Sequence, residues 1–432
     1  MNLTESFHYP DDYQEHSRVA LETALNTVPA YQSWKKLDPG PSASLDERYA
    51  AMPELTKQMM RESFPDGLVP NGRNTAAALA SGEIEYTFTS GTTEEKVINL
   101  WDQNWWNRSE AASWKLNSNT AKLPASVRKA ELAGAQNIGI SCEEDLPMDH
   151  RIIGQTLYLN EKTNMLQWQP RHCERMAREL SEFRPDVLEA NPSLLARLAF
   201  WAMDTRRELF QPGVIIFTYE FASKIHLAAI RKAFPDSAFV SSFGSTETGF
   251  VLEQCEDGLL HQNTASCRID FQPLKNQYGG PELGRILVTT FGNPWNSIVR
   301  FDTGDLVRLH KGACPCGRRF GMTADAVEGR TVNVTFGKDG NLVTTKALDD
   351  RMARIPGLRD YSLEQSAPGD CTLLLKAEKP EEAVEQARGE LKELYGSGTF
   401  TVRTVPDLFP GPSFKYRRSS ANFKFSQKEL FV

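Results

Sequence analysis

The 432-residue chain has no uninterrupted apolar run approaching ~18 residues, so no membrane-spanning helix is expected. Its first residues, Met1 to His8, offer neither a basic start nor an apolar stretch, and no secretory leader is expected there. A cytoplasmic protein without a membrane partner is the resulting expectation. Positive charge is not in excess: 49 Lys and Arg stand against 56 Asp and Glu, a formal net charge of −7. With no basic footprint and no long block of like charge, nucleic acid is not an expected partner, and small-molecule chemistry is. Internal repeats and low-complexity segments are missing. Cysteines are few, seven in all, and their odd number and wide scatter argue against a disulfide framework and for a reducing compartment. The Gly-x-x-x-x-Gly-Lys-Ser/Thr phosphate loop is absent too, so any nucleotide must be held another way.

What is present is a chain with 40% hydrophobic residues, enough core material for two or three domains at about 150 residues each. One stretch organises the rest. Tyr86-Thr87-Phe88 reads as a strand that stops in hydroxyls and charge: Thr89, Ser90, Gly91, Thr92, Thr93, Glu94, Glu95, Lys96. The hydroxyls of Thr89, Ser90, Thr92 and Thr93 can donate to phosphate oxygens, Gly91 lets the backbone N–H groups approach, and Lys96 adds a point charge. A Ser/Thr-rich surface turn has the same composition, so this stretch by itself leaves both readings open.

Residues 1–85 read as a helical lead-in, with apolar periodicity over Asp11 to Ala24 and Leu45 to Phe64 interrupted by prolines. Trp101, Trp105, Trp106 and Trp114 recur at helical spacing; they suit a pocket wall, and better a packed core. From Asn137 the pattern alternates. Strands are expected at residues 137–141, 186–190, 213–220 and 238–243, and helices at 171–183, 193–203 and 223–234, which predicts a parallel sheet covered on both faces. Ligands of such sheets sit at the carboxyl ends of the strands. There the last strand runs into Phe243-Gly244-Ser245-Thr246-Glu247-Thr248-Gly249. Phe243 offers a flat face to a purine, Thr246 a hydrogen bond to phosphate or carboxylate, and Glu247 a carboxylate for Mg2+, which needs only one or two beside phosphate oxygens. Beyond Gly249 the pattern turns to β, with strands at 285–291 and 297–301. Asp302-Thr303-Gly304-Asp305 then reads as a tight turn, whose Asp305 suits the two hydroxyls of a ribose as well as it suits an ordinary hairpin. Residues 330–432 read as a separate α+β module.

The hydroxyl-rich loop, Gly244-Ser245-Thr246-Glu247, Thr303-Gly304-Asp305, Glu328-Gly329-Arg330 and a lysine near the C-terminus, in that order, resemble the adenylate-forming superfamily of acyl-CoA synthetases and ligases. Within it the chain looks most like the phenylacetate–CoA ligase group and the related synthetases that adenylate a deazaflavin coenzyme. The similarity begins at Leu55-Thr56-Lys57 and runs to the terminal lysine loop. The resemblance implies an α/β fold: a large N-terminal domain over residues 1–329, with parallel sheets covered by helices plus a β-rich subdomain, and a small mobile α+β lid over residues 330–432. It also implies roles. Thr89, Ser90, Gly91, Thr92, Thr93 and Lys96 would hold the triphosphate of ATP. Phe243, with Gly244 and Ser245, would lie against adenine, Thr246 near the α-phosphate, and Glu247 on Mg2+. Asp305 and the hinge residue Arg330 would hold the ribose, and Lys415 would bridge the substrate carboxylate and the α-phosphate.

The same resemblance implies a structural Zn2+ site made of Cys255, His261, Cys314 and Cys316, a donor set suited to tetrahedral zinc; the alternative is four reduced, unliganded side chains. Expected partners are a carboxylic acid with a flat ring, CoA or a carrier protein as acceptor, and a second copy in a homodimer. Two departures keep other functions open. Glu94 stands where the family loop usually has glycine, and Thr331-Val332-Asn333 follows Arg330 where the hinge usually carries aspartates. The alternatives are adenylation with transfer to a carrier protein or an amine, adenylation of a coenzyme, and a degenerate nucleotide-binding homologue.

Overall fold

The computed structural model describes residues 7–88, 96–124, 126–135, 139–162, 164, 168–410 and 415–432. The chain divides into two compact units. One comprises Met1–Ala121, Ser242–Leu274 and Pro281–Ala326; the other comprises Lys122–Ser241, Lys275–Gly280 and Val327–Val432.

In the first unit, the helix Tyr13–Thr27 buries Tyr13, Ser17, Leu21, Ala24 and Leu25, one stripe at helical spacing. The apolar stretch from Leu45 to Phe64 forms two helices rather than one. Pro53 separates Leu45–Ala51, which starts in a capping box between Ser44 and Glu47, from Lys57–Ser63, capped by Thr56. Leu21, Tyr31, Trp34, Leu55, Ile298 and Phe301 join in one apolar cluster. Glu85–Phe88 pairs with Ile98–Trp101 as an antiparallel hairpin whose final pair is Phe88 with Ile98. The hydroxyl-rich residues 89–95 between those strands lie outside the described residues. On the helix Gln103–Trp114, Trp105 is core: it is buried and donates its indole N–H to the Phe291 carbonyl at 2.9 Å, while Trp101, Trp114 and Trp106, the last packed on Phe250, are half-buried.

The β-rich part of this unit is an antiparallel run ordered Cys267–Pro273, Leu283–Thr290, Phe301–Leu309, Thr323–Arg330, Leu260–Gln262, Gly249–Gln254, and then the end of Ala238–Ser245. Two expectations fail here. Residues 297–300 are not a strand, and Asp302-Thr303-Gly304-Asp305 is not a turn between strands; the strand expected after it begins earlier, as Phe301–Leu309 in one continuous run. The Asp302-Thr303-Gly304-Asp305 pattern instead makes a bulge. Leu287 faces Asp302 while Arg285 faces Leu306, so residues 303–305 lie opposite Ile286. Gly304 takes φ +72°, and the Asp302 carboxylate and Thr303 hydroxyl accept from the Gly304 and Asp305 amides at 2.9 and 3.2 Å. Short polar side chains closing on the backbone two residues on produce a turn signal inside a strand.

The second unit carries the parallel sheet. Lys129–Leu132, Val187–Ala190, Val214–Phe217 and Ala238–Ser245 pair in parallel, with Thr156–Tyr158 on the other side of Lys129–Leu132. The expected strand at 137–141 is corrected to Lys129–Leu132; residues 137 and 138 lie outside the described residues, and 139–141 are not extended pairs. The helices Pro170–Phe183, Pro192–Thr205 and Lys224–Ala233 cross between strands, and Leu132, Leu188, Ile215, Phe217, Met176 and Leu195 share their core. Residues 327–432 add a four-stranded sheet ordered Thr399–Thr404, Asp370–Ala377, Leu358–Ala367, Ser419–Ala421, backed by Thr345–Met352 and Pro380–Tyr395. Its core reaches Ile225 of the helix Lys224–Ala233. Among the described residues, no helix is long and apolar enough to cross a membrane.

Candidate functional site

Ala238–Ser245 and Gly249–Gln254 are joined by Thr246, Glu247 and Thr248, with Ser245 facing Gly249 and Gly244 facing Phe250. The tip is tight. A Cβ on Gly244 would lie 2.2 Å from the Gly249 carbonyl oxygen, and Gly249 at φ +66° would place one 2.7 Å from Ser109 Oγ. Both glycines are therefore there for close backbone approach and left-handed backbone. The Thr248 amide donates to the Ser245 carbonyl at 3.1 Å and the Ser245 and Thr248 hydroxyls are 3.0 Å apart, closing the turn on itself. This geometry turns Glu247 inward. Its side chain is 2% exposed, its Oε1 makes no hydrogen bond, and Lys57 Nζ lies 3.6 Å from that oxygen. Lys57 supplies a nearby positive charge yet leaves Oε1 without a hydrogen bond, so the residues present also fit a divalent ion held by Glu247. Thr246, Ser245 and Phe243 are half-buried and Gly244 is exposed on the same hairpin. Lys57 was legible only as part of the lead-in; nothing local ties it to Glu247. Asp305 is half-buried on its bulge, and Lys96 is exposed just past the undescribed loop.

The four zinc candidates come together in the same unit. Cys255 starts a turn in which its carbonyl accepts the Gly258 amide and its amide donates to Leu259, returning the chain into Leu260–Gln262. That brings His261 beside Cys316, Nε2 to Sγ 3.3 Å, while Cys255 and Cys314 sulfurs lie 3.6 Å apart. All four donor atoms lie within 4.8 Å of one another. The edge of a tetrahedron with Zn–S bonds of ~2.3 Å is roughly 3.8 Å, so the set fits zinc. His261 Nδ1 sits 3.4 Å from Thr323 Oγ1, leaving Nε2 for a metal. Burial holds the imidazole well down, to about 4, and pushes Cys314 up to about 12. Burial also pushes at Cys316, but the Arg318 N–H and neighbouring side chains bring its thiol below the usual range.

In the second unit, Arg330 ends Thr323–Arg330, and Lys415 begins a segment that is pinned closely. The Tyr416 amide donates to Glu220 Oε2 at 3.0 Å, and Arg197 donates to the Tyr416 hydroxyl at 3.2 Å. Arg418 is buried against Asp360, Ser193 and His226. Burial opposes its charge, and the Asp360 carboxylate restores it; Asp360 in turn is held well below the usual carboxylate range, with burial opposed by Arg418 and His226. Glu220 follows the carboxyl end of Val214–Phe217 through Tyr219, whose φ is +75° and whose carbonyl-side neighbour Glu220 donates its amide back to Thr218 at 3.0 Å. That pairing is the rare, strained form of γ-turn, a conformation costing about 1–3 kcal/mol in a non-glycine residue. Tyr219 is held in it by a hydrogen bond from its hydroxyl to Glu131.

No family profile and no curated protein sequence matches the chain. Solved structures do. The chain matches 2-hydroxyisobutyryl-CoA ligase in the postadenylation state in complex with 2-HIB-AMP at a TM-score of 0.70 and 16% identity, over 94% of this chain and 88% of that one. It matches anthranilate CoA ligase in complex with anthranoyl-AMP at 0.53 and 14% identity, over 77% and 65%. A benzoate CoA ligase from Burkholderia xenovorans LB400 matches at 0.50 and 15%, over 81% and 70%. The chain shares the α/β fold of these CoA ligases.

Proposed function

We propose that the protein is an ATP-dependent, AMP-forming ligase that adenylates a carboxylic acid, an aryl acid by the likeness to anthranilate and benzoate ligases, and passes the acyl group to CoA. The observation that carries this reading is Glu247, a buried carboxylate with an unsatisfied oxygen on a hairpin tip that continues the last parallel strand. In the first step a substrate carboxylate oxygen attacks the α-phosphorus in line, and pyrophosphate leaves with the electron pair of the broken P–O bond. In the second the CoA sulfur attacks the acyl carbon, its proton passes to solvent, and AMP leaves. Positioning and neutralisation of phosphate charge dominate such a reaction.

On this reading Thr89, Ser90, Gly91, Thr92, Thr93 and Lys96 grip the triphosphate. Phe243, Gly244 and Ser245 line the adenine side, and Thr246 binds the α-phosphate. Asp305 on its bulge and Arg330 hold the ribose, and Lys415 bridges carboxylate and α-phosphate. Mg2+, held by Glu247, would neutralise phosphate oxygens. Zn2+ on Cys255, His261, Cys314 and Cys316 would pin the β-rich part, away from catalysis. Residues 330–432 act as the lid of a domain over 1–329, in a cytoplasmic enzyme. The test is pyrophosphate release with ATP, Mg2+ and a panel of aryl acids. Lys415→Ala is expected to abolish release while a preformed acyl-adenylate still reacts with CoA. Silence of the native protein across a broad panel, with ATP bound, would overturn the reading.

A further inference from the structure

We propose that Glu220 is a positioning residue for Lys415, set by the γ-turn at Tyr219 and acting through the Tyr416 amide; this rests on the adenylation role assigned to Lys415 above. The segment around Lys415 is anchored on both sides. Before it, Asp407 is gripped by Arg197 at 2.8 Å and by Lys376 at 3.0 Å. After it, the Arg417 carbonyl accepts from Ser362 Oγ at 2.9 Å, and Ser419–Ala421 joins the sheet beside Leu363. Those anchors hold the described residues on either side, and what bears directly on the peptide between Lys415 and Tyr416 is the group that accepts the Tyr416 N–H.

That peptide is the one Glu220 holds, through the 3.0 Å bond from the Tyr416 N–H to Oε2. Glu220 reaches it because the chain reverses within three residues at the end of a parallel strand: Tyr219 at φ +75° turns the next side chain across. The reversal would relax without a restraint, and the Tyr219 hydroxyl supplies one by donating to Glu131 on the strand Lys129–Leu132. Three side chains thus form a relay from the sheet to the lysine peptide: Glu131, Tyr219, Glu220.

The test uses the full chain with Glu220→Ala and Glu220→Gln. Glu220→Ala is expected to slow pyrophosphate release on the order of 10- to 100-fold, through kcat more than through KM for the acid, while thioester formation from a preformed acyl-adenylate stays near native. Glu220→Gln, whose amide oxygen can accept the same N–H, is expected to restore most of the rate. Hydrogen exchange of the Lys415–Ala421 peptide gives an activity-independent readout: faster in Glu220→Ala, native-like in Glu220→Gln. Unchanged exchange in Glu220→Ala, or equal slowing of both half-reactions, overturns the proposal. A native protein that releases no pyrophosphate, yet whose exchange responds to Glu220→Ala, overturns the ligase reading and leaves the relay standing.

Discussion

Lys57 Nζ stands 3.6 Å from Glu247 Oε1, an oxygen that makes no hydrogen bond although its side chain is almost wholly buried. The helix Lys57–Ser63 and the hairpin tip are far apart in sequence, yet their first unit joins them as the charge balance of a single carboxylate.

Lys57→Met strands that carboxylate. Because the lysine side chain is itself about a quarter exposed, solvent shares the loss, and a destabilisation of about 1–2 kcal/mol is expected rather than the value for a fully buried pair. Added Mg2+ should recover more melting temperature in this variant than in the native protein. Glu247→Gln should cut pyrophosphate release roughly 100-fold or more. Melting curves with and without Mg2+, alongside initial rates, check both.

Gly244→Ala places a methyl 2.2 Å from the Gly249 carbonyl oxygen, so the hairpin must open. A loss of about 1–3 kcal/mol is expected. Adenylation should fall further than unfolding explains, because Thr246 and Glu247 ride on the same tip. Denaturant melts and pyrophosphate release under conditions where the variant is folded separate the two effects.

Metal analysis of the purified protein should find about one zinc per chain. Cys316→Ser should lose it and lower the melting temperature, and a strong chelator should do the same to the native protein. Adenylation measured below both melting temperatures should change far less. A full zinc complement in Cys316→Ser would refute the ligand set.

Acid stability should depend on Asp360. Its folded value lies well below the unfolded ~3.9, so between the two the unfolded chain binds a proton that the folded chain refuses, and stability rises with pH across that window. The contribution is complete above about pH 4 and is lost as pH falls below it. Asp360→Asn leaves Arg418 buried without its partner and is expected to cost about 3 kcal/mol at neutral pH. The gap to the native protein should narrow as pH falls below about 4, because Asp360 of the unfolded native chain takes up a proton that the folded chain refuses. Melting temperatures of both proteins across that range check the sign.

Much of the fold is written locally. The apolar periodicities of Pro170–Phe183, Pro192–Thr205 and Pro380–Tyr395, and the β-branched runs of Val214–Phe217 and Leu283–Thr290, are short-range patterns that each element carries within itself. Turn chemistry misled where it served another purpose: the same Asp, Thr and Gly that close a hairpin also close the bulge at residues 303–305, and pairing with Leu283–Thr290 decides between them. The strand Lys129–Leu132 was illegible because Lys129 and Glu131 break its apolar run, and both are accommodated by the cluster they enter, Lys129 with Glu189 and Glu131 with Tyr219.

By itself, then, the sequence determined the alternation of strands and helices, the order of the loops that suggest nucleotide chemistry, and the four metal-binding side chains as candidates. Tertiary structure decided what those residues are to one another. It brought Cys255 and His261 beside Cys314 and Cys316, set Lys57 against Glu247, and laid Glu220 on the amide that follows Lys415. The physical reason is that backbone propensity acts over a few residues. A buried charge, by contrast, must find its counter-charge wherever the packed chain happens to bring one.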